Sequence, residues 1–130
     1  MTADARSSVR PGEKPRGLKR VLAAAGNSFG GFAGAWREEE AFRQECLLAL
    51  ILIPAGLWLG HNGIERVLLV GPVLLILIVE LLNSAVEAAI DRIGAERHAL
   101  SGLAKDLGSA AVFVSFVLLI ASWVLVLLDR

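Results

Sequence analysis

Val79-Glu80-Leu81-Leu82-Asn83-Ser84-Ala85-Val86-Glu87-Ala88-Ala89-Ile90-Asp91 is the stretch whose reading decides the fold. The run before it, Val67 to Val79, carries no charge. Pro72 is the one strong helix breaker in that run, and membrane helices tolerate proline. At about 100° per residue, Asn83 lies about 60° to one side of Glu80, Glu87 returns to within about 20° of it, and Asp91 falls about 20° to the other side. The four polar groups therefore form one stripe on a helix otherwise made of Leu, Ile, Val and Ala. An ionisable residue inside a membrane helix is costly, so it faces a protein interior, a partner or a metal. Two carboxylates on one face with an amide between them could hold a divalent cation through oxygen ligands.

The rest of the composition agrees with a membrane chain. Its 130 residues suffice for one domain, and 55% of them are hydrophobic. The mean hydropathy of +0.63 is high for a soluble domain. Thirteen basic residues balance 13 acidic ones, which argues against a general affinity for nucleic acid. Cys46 is the single cysteine, so there is no intrachain disulfide, and it reads as a small apolar residue. No secretory signal is expected, because the first long apolar run begins only near Cys46. A water-soluble helical bundle would not need three apolar segments of near-membrane length.

Outward from the stripe, the chain divides as follows. Residues 1–17, with Pro11, Gly12, Pro15 and Gly17 among polar residues, read as a disordered basic tail. From Met1 to Arg20 there are six basic side chains (Arg6, Arg10, Lys14, Arg16, Lys19, Arg20) and two acidic ones, enough to attract anionic lipid. Residues 18–36 place Leu18, Val21, Leu22, Ala25, Phe29, Phe32 and Trp36 three and four apart, which predicts an amphipathic surface helix. Its glycines would permit a turn near Gly30-Gly31. They contain no Gly-x-x-x-x-Gly-Lys-Ser/Thr phosphate loop.

Residues 37–45 form a charged stretch in which Glu39 and Arg43 could pair across one turn. The apolar segment after it is short for a span, so its helix must begin within the charged residues, with Arg43, Gln44 or Glu45 near the headgroups. Transmembrane helices are predicted at about 40–60, 64–90 and 103–128, with a turn at His61-Asn62-Gly63 flanked by Glu65 and Arg66. Ser101 is a candidate cap for the last of them. Trp58 and Trp123 read as interface anchors. Most of the basic residues lie in the N-terminal tail and between Asp91 and Asp106, which predicts a cytoplasmic N-terminus and an outward C-terminus.

Carboxylates, an amide and Lys105 at a membrane interface suit metal-assisted phosphoryl transfer. They suit a proton or cation pathway equally well. Three spans make a thin carrier or channel, so either reading calls for an oligomer.

Beyond these readings, the chain resembles the small integral-membrane diacylglycerol kinases of Gram-negative bacteria from roughly Leu18 to Leu128. Three ordered motifs carry the resemblance: Glu80-x-Leu-Asn83-Ser-Ala-x-Glu87-x-x-Ile-Asp91, Ala104-Lys105-Asp106-x-Gly108-Ser109-Ala-Ala, and Ala35-Trp36-x-x-Glu39-x-Ala-Phe42-Arg43-Gln44-Glu45. The resemblance implies an all-α membrane protein with three transmembrane helices and an N-terminal surface helix, assembled as a homotrimer in the bacterial inner membrane. It implies active sites shared between neighbouring chains near the cytoplasmic face. The reaction implied is transfer of the ATP γ-phosphate to the hydroxyl of diacylglycerol, giving phosphatidate. By the same likeness Glu39 and Glu87 hold the magnesium (Mg2+) bound to ATP. Glu80 is the general base, and Asn83 orients it or the substrate. Lys105 and Arg20 contact phosphate oxygens. Asp91, Asp106, Gln44 and Ser109 support or line the site, and the Gly26 to Gly31 region, with Asn27 and Gly31, lies against nucleotide or lipid.

The resemblance has gaps. Asn27 and Phe29 stand where the best-known members have aromatic residues, and Ala33 where they have an arginine, which removes possible nucleotide or headgroup contacts. Related enzymes of Gram-positive bacteria phosphorylate undecaprenol, and that polyprenol activity is the main alternative.

Overall fold

The computed structural model describes residues 15–94, 96 and 98–130. Most of the predicted basic tail therefore lies outside the described residues. Four helices follow one another: α1 (Leu18–Glu38), α2 (Glu40–Leu59), α3 (Gly63–Ile93) and α4 (Ala99–Leu128). The chain falls into two compact units, Met1–Gly34 and Ala35–Arg130.

In the first unit, α1 starts after Gly17, whose φ of +62° is one that a side chain would strain. The Gly17 carbonyl accepts from the amides of Arg20 and Val21 at 3.1 and 3.3 Å, which closes the first turn. The helix runs through Gly30-Gly31 without the turn that those glycines permit. Leu18, Val21, Leu22, Phe29 and Phe32 are all exposed.

The second unit begins in the last turn of α1 and contains the three long apolar helices. α2, α3 and α4, of 20, 31 and 30 residues, are each long and apolar enough to cross a membrane. α3 packs against both of the others. Its buried residues, Leu69, Pro72, Val73, Ile76 and Glu80, fall three and four apart and so form one seam. Val73 and Ile76 join Ala49 of α2 and Leu119 of α4 in the core, with Leu48, Leu52, Ile53, Leu77, Phe116 and Trp123 packed around them. Large apolar residues on the outward faces, such as Leu50, Ile51, Leu74, Phe113 and Ile120, remain exposed. A water-soluble protein rarely leaves so much contiguous apolar surface uncovered, whereas a bilayer accepts it.

Local hydrogen bonds set the junctions. Glu39 has extended backbone (φ −114°, ψ 108°) and separates α1 from α2. Arg43 does not pair with Glu39 across the turn; its Nη1 donates to the carbonyls of Trp36 and Arg37 at 2.8 and 3.2 Å, acceptors that the end of α1 leaves free. Asn62 caps α3 by accepting from the Glu65 amide at 3.0 Å, while the Glu65 carboxylate accepts from the His61 amide at 2.9 Å. Arg66 Nε donates to the carbonyls of Leu57 and Gly60 at the end of α2. Gly60 is required there, since a Cβ would stand 2.9 Å from the Arg66 amide nitrogen.

Two expected roles differ in the structure. His98, not Ser101, caps α4, its Nδ1 accepting from the Leu100 amide at 3.1 Å. The helix therefore starts earlier, at Ala99, and Ser101 lies inside its first turn. Trp123 differs from a free interface anchor in having a partner inside the protein: its Nε1 donates to the Leu69 carbonyl at 2.9 Å, which ties the indole to α3. Trp58, by contrast, is 83% exposed.

Candidate active site

Glu80 sits at the end of the apolar seam of α3 with only 4% of its surface exposed. Because the seam repeats every three to four residues, the next turns carry Asn83, Ser84 and Glu87 up the same side of the helix. Asn83 Nδ2 donates to Glu87 Oε1 at 3.3 Å, a bond along one turn of α3. Glu39 and Glu87 both lie near enough to Glu80 for their charges to act on it. Glu80 acts in the same way on Glu45 of α2, which is buried with 7% exposure. Glu39, at the break between α1 and α2, thus comes near the buried Glu80.

Glu80 stands in a cluster with three like charges, Glu39, Glu45 and Glu87, each of which repels its own. At an effective dielectric near 20, two unit charges about 6 Å apart cost about 3 kcal/mol. Such a cluster favours uptake of a cation. Its donors are hard oxygens, which suit magnesium. Magnesium keeps several waters and is held by one or two carboxylates together with substrate phosphate, so it needs no complete protein cage. Among the described residues no three His, Cys, Asp or Glu side chains form such a cage. The carboxylate oxygens of Glu39 and Glu87 have the chemistry to hold a magnesium ion carried in on a polyphosphate.

Three buried side-chain atoms have no hydrogen-bond partner among the described residues: Glu45 Oε2, Asn83 Oδ1 and Ser84 Oγ. All three lie within two turns of Glu80 or across from it on α2. Buried polar atoms are normally paired, so a group of them beside one carboxylate marks a place prepared for a ligand or a neighbouring chain.

One helical turn beyond Glu87, Asp91 accepts from Lys105 Nζ at 2.8 Å and ties α3 to α4. Both side chains stay partly exposed. They line an open pocket of about 350 Å³ with Glu96, His98, Ser101 and Gly102. The ammonium of Lys105 and the hydroxyl of Ser101 are donors that a phosphate could take there.

The remaining predicted site residues are placed as follows. Asp106 and Ser109 are exposed on α4. Gln44 is exposed on α2 and donates to Glu40 on its own helix at 3.4 Å. Arg20, Asn27 and Gly31 are exposed on α1 in the first unit. Glu45, Ser84, Glu96 and His98 were not among the predicted site residues. Glu45 is buried, and its spacing from Phe42 and Ala49, both buried, marks the inward face of α2.

The model for prokaryotic diacylglycerol kinase matches residues 26–127. The chain belongs to the prokaryotic diacylglycerol kinase family. The matched region takes in every predicted site residue except Arg20. A diacylglycerol kinase of Pseudomonas aeruginosa is 50% identical over 121 residues, which cover 93% of this chain and 98% of the relative. One of Escherichia coli is 48% identical over 111 residues, covering 85% and 91%. One of Helicobacter pylori is 40% identical over 110 residues, covering 85% and 86%. The family likeness thus spans both the carboxylate cluster and the Asp91–Lys105 pocket.

Proposed function

We propose that this chain is a lipid kinase that transfers the γ-phosphate of ATP to the free hydroxyl of sn-1,2-diacylglycerol, giving phosphatidate and ADP. The observation that carries the reading is Glu80: a carboxylate buried at the end of an apolar seam, with Glu39 and Glu87 beside it, in a member of this family. The relatives across nearly the whole chain are named diacylglycerol kinases, which does not favour the undecaprenol alternative.

Glu80 is the general base. It takes the proton of the lipid hydroxyl as that oxygen attacks the γ-phosphorus, and the bond from phosphorus to the bridging oxygen breaks, leaving ADP. The proton then passes from Glu80 to water. Asn83 holds Glu87 and orients the acceptor. Glu39 and Glu87 bind the magnesium–nucleotide complex; the metal, when bound, offsets charge on the phosphate oxygens. Lys105 holds the phosphate tail, kept in place by Asp91 until nucleotide arrives, and Arg20 adds a second cation. Asp106, Gln44 and Ser109 line the site. Asn27 and Gly31 face nucleotide or headgroup.

The chain works as a homotrimer. The uncovered outward apolar faces, and the buried polar atoms beside Glu80 that lack a partner among the described residues, support this reading. Its active sites are shared between neighbouring chains near the cytoplasmic face. α1 is the amphipathic surface helix, its apolar stripe in the bilayer interface. The protein lies in the inner membrane with its N-terminus cytoplasmic and its C-terminus periplasmic, as the distribution of Lys and Arg supports.

The test is a phosphorylation assay in mixed micelles with magnesium ATP, offering diacylglycerol and undecaprenol side by side. Phosphatidate should form well ahead of undecaprenyl phosphate. Absence of any phosphorylated lipid from a folded oligomer overturns the proposal.

A further inference from the structure

α3 and α4 come close together where Asn83 meets Gly108. A Cβ built on Gly108 would overlap the Oδ1 atom of Asn83 and stand 3.1 Å from its Cγ and 3.9 Å from its own Cβ. The crowding is local, because Gly102, on the same helix, has open space around it. The crowded atom is also unusual: Asn83 Oδ1 is buried and accepts no hydrogen bond among the described residues. The other end of the amide, Nδ2, makes the one bond to Glu87 Oε1 at 3.3 Å. Shape, not hydrogen bonding, therefore sets where the oxygen end of this amide lies.

We propose that Gly108 is a positioning residue for phosphoryl transfer: its missing side chain is the seat that keeps the Asn83 amide turned toward Glu87. This inference rests on the assignment of Glu87 to the magnesium–nucleotide complex. A methyl group at position 108 must displace either the helices or the amide. The helices are held on both sides of the crossing. Lys105 is tied to Asp91 on one side. On the other, Ser122 and Trp123 are tied to the carbonyls of Leu68 and Leu69. The amide is held by one long hydrogen bond, so the amide yields. It swings out of reach of Glu87, whose carboxylate then loses its orienting donor. Helix propensity alone would favour alanine over glycine at this position, so a loss on substitution reports the overlap and not the helix.

The test is a double-mutant cycle on the full chain in nanodiscs, with Gly108→Ala, Asn83→Ala and the two combined. Gly108→Ala should raise the KM for magnesium ATP about tenfold, the scale of one lost hydrogen bond to a charged group. In the Asn83→Ala background the same substitution should change KM less than about twofold, since no amide is left to displace. The side-chain amide resonance of Asn83 should also shift in Gly108→Ala. If Gly108→Ala does not fold, the combined variant should recover the fold; failure of both overturns the proposal. Equal losses in the two backgrounds, or an unchanged KM with an unmoved amide resonance, overturn it as well. A shifted resonance in a protein that phosphorylates no lipid would instead sink the kinase reading and leave the seat in place.

Discussion

Ser122 Oγ donates to the carbonyl of Leu68 at 2.5 Å, and Leu68 is the residue whose helical partner would be Pro72. Proline has no N–H, so the carbonyl four residues before it is left without its bond. In hydrocarbon no water can replace that donor. The hydroxyl from α4 does so, while the adjacent Trp123 Nε1 reaches the Leu69 carbonyl. The break in α3 and its repair thus join the two helices at the core, below the site.

Ser122→Ala should destabilise the protein by about 1 kcal/mol, the net worth of a hydrogen bond of this kind. With Pro72→Ala in place, Leu68 regains a backbone donor and Ser122→Ala should become nearly neutral. Unfolding of the four variants in detergent measures the coupling. Equal costs in both backgrounds would show that Ser122 contributes through packing alone.

Glu80 and Glu87 are neighbours in space, and the proposed mechanism gives them different work. Glu87→Gln keeps the size, removes the charge and should weaken magnesium–ATP binding together with turnover. Glu80→Gln should leave nucleotide binding nearly intact and lower turnover by roughly 10²–10⁴-fold, as for a lost general base. Magnesium-dependent ATP binding measured beside initial rates separates them. Parallel losses of oligomer stability and activity in both variants would reduce the two glutamates to structural residues.

The proposed sharing of sites is checked with Glu39 and Glu87. Inactive Glu39→Ala and Glu87→Ala chains, mixed and reassembled, should recover some activity through hybrid interfaces. A fully active monomer, or a mixture no more active than either variant alone, would refute the shared site.

Orientation is checked at the end of α4. A reporter fused after Arg130 should be active in the periplasm and silent in the cytoplasm. The reverse, in a protein that retains activity, would rule out the proposed orientation of the three spans.

Much of the fold was legible because its causes are local. Apolar runs of membrane length mark α2, α3 and α4, and a repeat of 3.6 residues is enough to put Glu80, Asn83, Glu87 and Asp91 on one stripe. That stripe holds the centre of the proposed site. What crosses from helix to helix was not legible, because nothing in a linear pattern fixes the rotation and height of one helix against another. Only the tertiary structure buries Glu45 of α2 near Glu80, closes Asp91 on Lys105, and seats Asn83 against the bare Cα of Gly108. It also gives the Trp123 indole N–H a partner on another helix, the Leu69 carbonyl. The residues and their spacing along each helix were written in the chain; which polar atoms meet was decided by packing.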